Sequence, residues 1–182
     1  MIQVHQACED AILQAAKQMC NAAQTAPKAC GKDDIVSGIL TGEELQTLGA
    51  EMRRIEAETP NCTAIFVRDA ELVEQSVAVV LIGVRHQKRG LHPCGICGHG
   101  DCGGPGHCAY DDIDLGIALG SAVSMAADLR VDNRIMYSAG MAAMNLKLLG
   151  EDVGTIMAIP LAVAPRSIFF TRTVMVPAGD CK

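Results

Sequence analysis

Apolar residues recur every three or four positions in two long segments of the chain, which is the spacing of a helix with one buried face. The first segment predicts a helix over residues 8–24 that ends before Pro27, because a residue preceding proline disfavours helical backbone. The second predicts a helix over residues 41–59, where Thr41 and Glu44 have the spacing of a capping box. Each helix therefore offers one apolar face to a core.

The uninterrupted apolar run at residues 77–84 is typical of a strand that is covered on both faces. Shorter apolar runs predict three more strands, at residues 62–67, 134–138 and 155–163. The remaining periodic segments predict helices at residues 69–75, 112–129 and 140–149, followed by an extended arm at 167–176. We therefore expect an α+β fold, a mixed sheet flanked by helices, that forms a single domain over residues 1–182.

The composition fits a folded chain with an aliphatic core, since 49% of the 182 residues are hydrophobic, 20% are charged and Trp is absent. Fifteen basic against 21 acidic residues give a net charge of −6. That balance argues against nucleic acid as a partner, because phosphate binding requires clustered positive charge. The longest uncharged runs fall well short of the ~20 residues that span a bilayer. The N-terminus also lacks the features of a signal peptide, so we expect a cytoplasmic protein without membrane contact.

Four of the nine cysteines fall in one short segment with the spacing C-x2-C-x4-C-x5-C: Cys94, Cys97, Cys102 and Cys108. The segment is rich in glycine and contains two prolines, a composition that excludes a regular helix or strand. We therefore expect residues 86–110 to form an inserted loop at the end of the strand predicted at 77–84. Loops that a rigid sheet carries are common places for function.

The four thiols predict a metal centre. Thiolates that converge on one point repel each other unless a cation compensates them, and iron supplies that charge in an iron–sulfur cluster. We expect a [4Fe-4S] cluster. A zinc site is the alternative, held by the cysteines alone or with His99 and His107 among its ligands. A redox-active dithiol and cysteines without a function are the remaining interpretations.

The centre of this loop carries a family resemblance. Residues 94–102 read CGICGHGDC and resemble the CG-x-CG-x3-C motif of four-iron ferredoxin-type domains. Together with residues 25–28, 114–122 and 131–138, they make the chain similar to a family of uncharacterised ferredoxin-domain proteins over nearly its whole length. The resemblance implies a cluster and leaves the reaction open.

A second resemblance lies in the order of the predicted elements. The order is an early helix ending near an Ala-Pro pair, an apolar strand, a helix rich in small residues and a further apolar strand. It is similar to the order of elements in the flavin-dependent nitroreductases. That resemblance implies a nitroreductase-like fold and a homodimer with FMN at the subunit boundary, near Lys28, Ser138, Gly140 and Arg166. Those enzymes have a basic run before the first helix. Residues 1–6 contain no Lys or Arg, so a flavin phosphate would have to be held in another way.

Taken together, these features predict a redox protein that transfers single electrons through its cluster and, where FMN is present, an oxidoreductase. The alternative is a non-enzymatic binding or assembly module with structural zinc in the same loop. The small-residue helix around Gly116 and Gly120 and the apolar C-terminal arm favour a surface for a second copy. We therefore expect a homodimer that meets a redox partner protein.

Overall fold

The computed structural model describes residues 1–99, 102 and 104–170. In that part of the chain the elements run in the order α1 (Val4–Thr25), β1 (Ile35–Thr41), α2 (Glu43–Glu58), α3 (Phe66–Glu74), β2 (Ala78–Arg85), α4 (Ala109–Asp128), β3 (Asp132–Asn133), α5 (Tyr137–Asn145) and β4 (Val153–Ala162). The strands form one sheet in the order β1-β2-β4-β3.

Strand β2 lies inside the sheet and is covered on both faces, as its continuous apolar run predicts. Its side chains alternate between two cores, in keeping with the period of two of a strand. Ala78, Val80, Ile82 and Val84 pack with α1 and α4. Val79 and Leu81 pack with α2, α3 and α5 on the opposite face. The molecule is therefore a three-layer arrangement of helices, sheet and helices.

The α+β class is confirmed, and the helices predicted at residues 8–24, 41–59 and 112–129 correspond to α1, α2 and α4. The prediction of a mixed sheet is wrong, because every described strand pair is antiparallel. The reason lies in the connection between β1 and β2. Helices α2 and α3 run out and back, so β2 starts beside the end of β1, where Thr41 pairs with Ala78.

Two predicted strands are wrong in whole or in part. Residues 62–67 form turns and the start of α3, because Phe66 enters the core from a helix rather than from the sheet. Residues 134–138 contribute only an isolated bridge between Met136 and Ala158 before α5 begins at Tyr137. Strand β1 was not predicted.

Residues 86–108 connect β2 to α4 and contain no helix or strand in their described part, as expected for the inserted loop. In the predicted C-terminal arm, residues 168–170 form a turn, and residues 171–176 lie outside the described residues. None of the described helices combines the length and the hydropathy needed to cross a bilayer.

Candidate metal centre

The four cysteines of the loop line one cavity. Cys94, Cys97, Cys102 and Cys108 border this small space together with Gly95, Ile96, Ala109 and Tyr110. The first three thiols are half-buried and Cys108 is buried. The structure therefore brings together all four residues that the spacing singled out.

The N-terminus of α4 supplies one of the four positions. Cys108 is the residue that immediately precedes the first turn of this helix, and only 8% of it is exposed. Unpaired amide groups at a helix N-terminus carry partial positive charge, which favours an anion there. Cys108 is therefore placed at a helix end that suits a negatively charged metal centre.

Glycine turns shape the rest of the loop. Gly98 has a φ of +82°, a conformation that residues with a side chain rarely adopt. Its amide donates a hydrogen bond to the carbonyl of Gly95, 2.9 Å away. This turn spans residues 95–98 and folds the chain back around Cys97, directly after Cys94. The glycine-rich composition thus serves the tight path of the loop around the cavity.

A buried arginine anchors the start of the loop. Only 1% of the Arg89 side chain is exposed. Its Nη1 donates to Oδ2 of Asp34 at 2.6 Å, and its Nη2 donates to Oδ2 of Asp114 at 3.0 Å. Oδ1 of Asp111 lies 3.3 Å from the same Nη2. One guanidinium therefore joins the loop to the segment before β1 and to the first turns of α4.

Two of these carboxylates also accept backbone hydrogen bonds. Oδ2 of Asp111 accepts from the amide of Gln87 at 3.1 Å. Asp114 accepts from the amide of Ala29 through both oxygens, at 3.0 and 3.1 Å. Among the described residues, Arg89 Nε and Asp111 Oδ1 are buried without a hydrogen-bond partner, and the hydrogen bonds given above hold the rest of the network in place. The two ends of the cysteine loop are thus fixed to one another and to the segment after α1.

The charges of this network influence one another. Burial raises the pKa of the Asp111 carboxyl, and the neighbouring Arg89 acts in the opposite direction. Burial alone would lower the pKa of Arg89, but its hydrogen bonds to Asp114 and Asp34 raise that pKa overall. Arg89 therefore keeps its charge in the interior and holds the acidic groups around it.

Sequence reasoning missed this network entirely. One signal was present, since Asp111 and Asp114 stand three residues apart on the side of α4 that also buries Leu115 and Ala118. Carboxylates on an apolar helix face require a partner. The sequence does not reveal which arginine supplies it.

Lys28, predicted to lie near a flavin, closes the end of α1 instead. Its Nζ donates to the carbonyls of Ala23, Gln24 and Ala26, at 3.2, 2.5 and 3.0 Å. Only 6% of its side chain is exposed. A cation in this position satisfies the free carbonyls of the last helical turn. The ammonium group is therefore already bound by the chain.

The other three predicted flavin residues do not join Lys28 in one cluster. Ser138 is fully buried on α5 and donates to Oδ2 of Asp69 at 2.5 Å. Gly140 packs against the backbone of β4, where an added Cβ would lie 2.1 Å from the carbonyl oxygen of Ile156. Arg166 is exposed. Helix α1 leads to Lys28, and helix α5 carries Ser138 and Gly140. These two helices lie on opposite faces of the sheet.

A relative from Archaeoglobus fulgidus, described as an uncharacterized protein, is 39% identical over an alignment of 171 positions that covers 87% of this chain and 90% of the relative. A family model described as "Uncharacterized protein containing a ferredoxin domain" matches residues 104–172. The chain belongs to this ferredoxin-domain family. The matched segment of the family model includes Cys108 and begins after the other three cysteines of the loop.

Solved structures similar to this ferredoxin-domain protein include nitroreductases. A nitroreductase with bound FMN from Bacteroides fragilis NCTC 9343 has a TM-score of 0.63 at 11% identity, over 92% of this chain and 86% of that one. A second with bound FMN, from Desulfitobacterium hafniense DCB-2, has a TM-score of 0.60 at 17% identity, over 91% and 80%. The predicted nitroreductase-like fold is confirmed.

Proposed function

We propose that this ferredoxin-domain protein carries one [4Fe-4S] cluster on Cys94, Cys97, Cys102 and Cys108 and transfers single electrons. The observation that carries the proposal is the common cavity that these four cysteines line. The ferredoxin-domain family and the fold shared with FMN-binding nitroreductases support a redox role. The cluster itself would supply the one-electron chemistry.

The thiol positions differ from those of a closed zinc site. A tetrahedral zinc with bonds of 2.3 Å holds its sulfur ligands about 3.8 Å apart. Among the described residues, no three of the loop cysteines have sulfur atoms that all lie within 4.8 Å of one another. A four-iron cluster separates its thiolates more widely, because iron and sulfide ions lie between them, so it does not require the sulfur atoms to be that close.

The chain contributes position and shelter to such a cluster. Cys108 would be held by the N-terminus of α4, and the Arg89 network fixes the loop to the body of the molecule. Fixed ligands and the hydrogen bonds around them tune the potential of a metal centre. The structural role of the network in this proposal is to keep the four thiols in one arrangement.

Electron exchange requires a partner close to the cysteines. Ile96 stands between two of them in the chain, borders their cavity and is 58% exposed. An exposed apolar side chain at a redox centre suits a brief contact with another protein, since transient redox interfaces are small. We propose that a redox partner protein approaches the loop from the side of Ile96.

The nitroreductase resemblance implied FMN at a subunit boundary, near Lys28, Ser138, Gly140 and Arg166. Within one chain, Lys28 and Ser138 form hydrogen bonds with other residues, and Gly140 is in close contact with β4. FMN at a boundary between two copies stays a proposal that rests on the shared fold, and no step of the electron transfer proposed here passes through a flavin. Flavin analysis of the purified protein tests FMN binding directly.

A zinc-binding module without catalytic activity is the second candidate. His99 and His107 border a neighbouring space together with Cys97, Cys102 and Cys108, so a mixed cysteine and histidine site lies within reach of this loop. Zinc in such a site would stabilise the loop and carry no electrons. Metal content distinguishes the two candidates.

The decisive experiment is purification without oxygen, followed by iron, sulfide and zinc analysis and by absorption and EPR spectra. We expect about four irons per chain and a charge-transfer absorption that bleaches on reduction. Cys97→Ser should lose that absorption. Cys62→Ser, which removes a half-buried thiol outside the loop, is the matched control and should keep it. A folded protein with zinc and no iron would replace the cluster with the second candidate.

We also propose that two copies associate through α4. Five residues in the pattern i, i+3, i+4, i+7 and i+11, which share one side of a helix, are exposed along α4: Ile113, Gly116, Ile117, Gly120 and Ser124. Ile113 and Ile117 are 42% and 41% exposed. An added Cβ at Gly116 or Gly120 would meet no atom within 4 Å, so a second helix could approach closely there. Apolar and small residues on one stripe suit a helix pair.

A further inference from the structure

Two histidines and one aspartate meet at the root of the cysteine loop. His86 follows β2, His107 precedes Cys108, and Asp112 lies in the first turn of α4. One potential ligand atom from each lies within 4.8 Å of the other two. The imidazole rings stack with centroids 4.4 Å apart and planes at 17°. Residues from both ends of the loop thus form one group outside the four cysteines.

The position of His86 is built into the sheet. Its Nε2 forms a hydrogen bond with Oγ1 of Thr155 at 3.0 Å. At Gly154, an added Cβ would lie 2.5 Å from Nδ1 of the same ring, so only glycine leaves room for it. Metal-binding histidines commonly form a hydrogen bond through one ring nitrogen, which orients the other toward the metal. In the tautomer whose Nε2 donates to Thr155, Nδ1 of His86 is the nitrogen with a free lone pair.

The other two groups already stand at a distance that suits a shared ion. Nε2 of His107 lies 2.8 Å from Oδ2 of Asp112. Two ligands of a tetrahedral zinc with bonds of about 2.1 Å are about 3.4 Å apart, so these two atoms need to separate only slightly. Both side chains are about half exposed, so an ion can enter and water can complete its coordination. Lys88, the cation that borders the same cleft, is turned to the carbonyl of Gly104.

From this geometry we propose that His86, His107 and Asp112 bind a divalent first-row transition metal ion, with zinc as the probe of choice. Two imidazoles and one carboxylate are a donor set that such ions prefer. A small rotation of the exposed His107 ring away from the stack would let the three ligands converge. The bound ion would connect the two ends of the cysteine loop, in addition to the Arg89 network. This site is separate from the cluster and does not depend on it.

The test is zinc titration of the anaerobically purified full-length protein, with calorimetry and metal analysis on the same samples. We expect one zinc per chain beyond the metal already present. His107→Gln and Asp112→Asn should each weaken that binding by about tenfold or more. Both side chains are exposed, so both variants should fold. His92→Gln changes an exposed histidine of the same loop outside the group and should bind zinc like the wild type.

A second readout separates this site from the cysteines. Co²⁺ held by imidazole and carboxylate lacks the strong thiolate-to-cobalt charge-transfer absorption of a cysteine site. We expect the wild type to bind one Co²⁺ that His107→Gln does not bind, and this Co²⁺ should show no thiolate absorption. No additional zinc, equal zinc affinity in His107→Gln, or a thiolate–cobalt absorption for this Co²⁺ would each overturn the proposal.

Discussion

The guanidinium of Arg89 and the carboxylate of Asp114 form a buried ion pair, with Nη2 3.0 Å from Oδ2. The same carboxylate accepts hydrogen bonds from the amide of Ala29, which lies 85 residues away in the chain. Only 1% and 4% of the two side chains are exposed. This pair therefore links the cysteine loop to α4 and to the end of α1 in a region that water does not reach.

Replacing Asp114 by Asn should destabilise the fold strongly. The variant keeps the shape of the side chain but removes one of the three carboxylate charges around the buried Arg89. Loss of one partner of a buried pair costs up to about 3–5 kcal/mol, and the free energy of unfolding in urea measures it. Glu151→Gln removes the partner of Lys147 at an exposed pair and should cost less than about 1 kcal/mol. Equal effects of the two changes would contradict the anchoring role of Asp114.

A fall in pH should weaken the packing of α2, because it protonates the carboxylate of Glu51. Arg54 donates two hydrogen bonds to this buried carboxylate, at 2.7 and 2.6 Å. Those hydrogen bonds lower the pKa of Glu51 below its ordinary value of 4.5, and burial acts against them. A carboxyl whose folded pKa is lowered stabilises the protein above its unfolded pKa, and that stability is lost as the pH falls through the folded pKa.

The measurement for Glu51 is the free energy of unfolding between neutral pH and pH values below 4.5. The wild type should lose stability as the pH falls through this range, and Glu51→Gln should lose less over the same range. Glu43→Gln, an exposed change on the same helix, is the control for the loss of one negative charge. A slope for Glu51→Gln that equals the wild-type slope would show that the Arg54 contact contributes nothing.

Gly140→Ala should separate α5 from β4. An added Cβ would lie 2.1 Å from the carbonyl oxygen of Ile156, closer than any real contact, so the helix must move. Overpacking of this kind costs about 1–3 kcal/mol or more. Gly116→Ala is the matched control on a helix, because its Cβ would meet no atom of the chain within 4 Å. That variant should gain up to about 1 kcal/mol, and thermal unfolding of dilute samples compares the two. Similar melting temperatures would contradict the close packing at Gly140.

Local patterns predicted the elements that depend on local contacts. The run at residues 77–84 became β2, because a strand buried on both faces must be apolar throughout. The helical period of residues 8–24 and 112–129 likewise reflects one face against the sheet. The grouping of the four cysteines could be predicted because all four stand within one short segment.

Elements and contacts that depend on residues far apart in the chain could not be predicted from the sequence. Strand β1 contains Ser37 and Gly38 and lies at an edge of the described sheet, so only its pairing with β2 identifies it. Residues 62–67 form a short apolar run whose period is too brief to separate strand from helix. Arg89 looks like a surface residue of a loop until Asp34, Asp111 and Asp114 converge on it.

The proposed dimer through α4 predicts that one charge on its exposed stripe separates the copies. Ile117 is 41% exposed in the middle of the helix, and Ile117→Asp would place a carboxylate where two apolar surfaces meet. Loss of a central contact of an interface costs about 2 kcal/mol or more, which corresponds to a dissociation constant about 30-fold higher. Ile135→Asp, at a similarly exposed position outside α4 (40%), should leave the dimer intact. Light scattering across a dilution series measures both, and a wild-type protein with the mass of a single chain at micromolar concentration would refute the dimer.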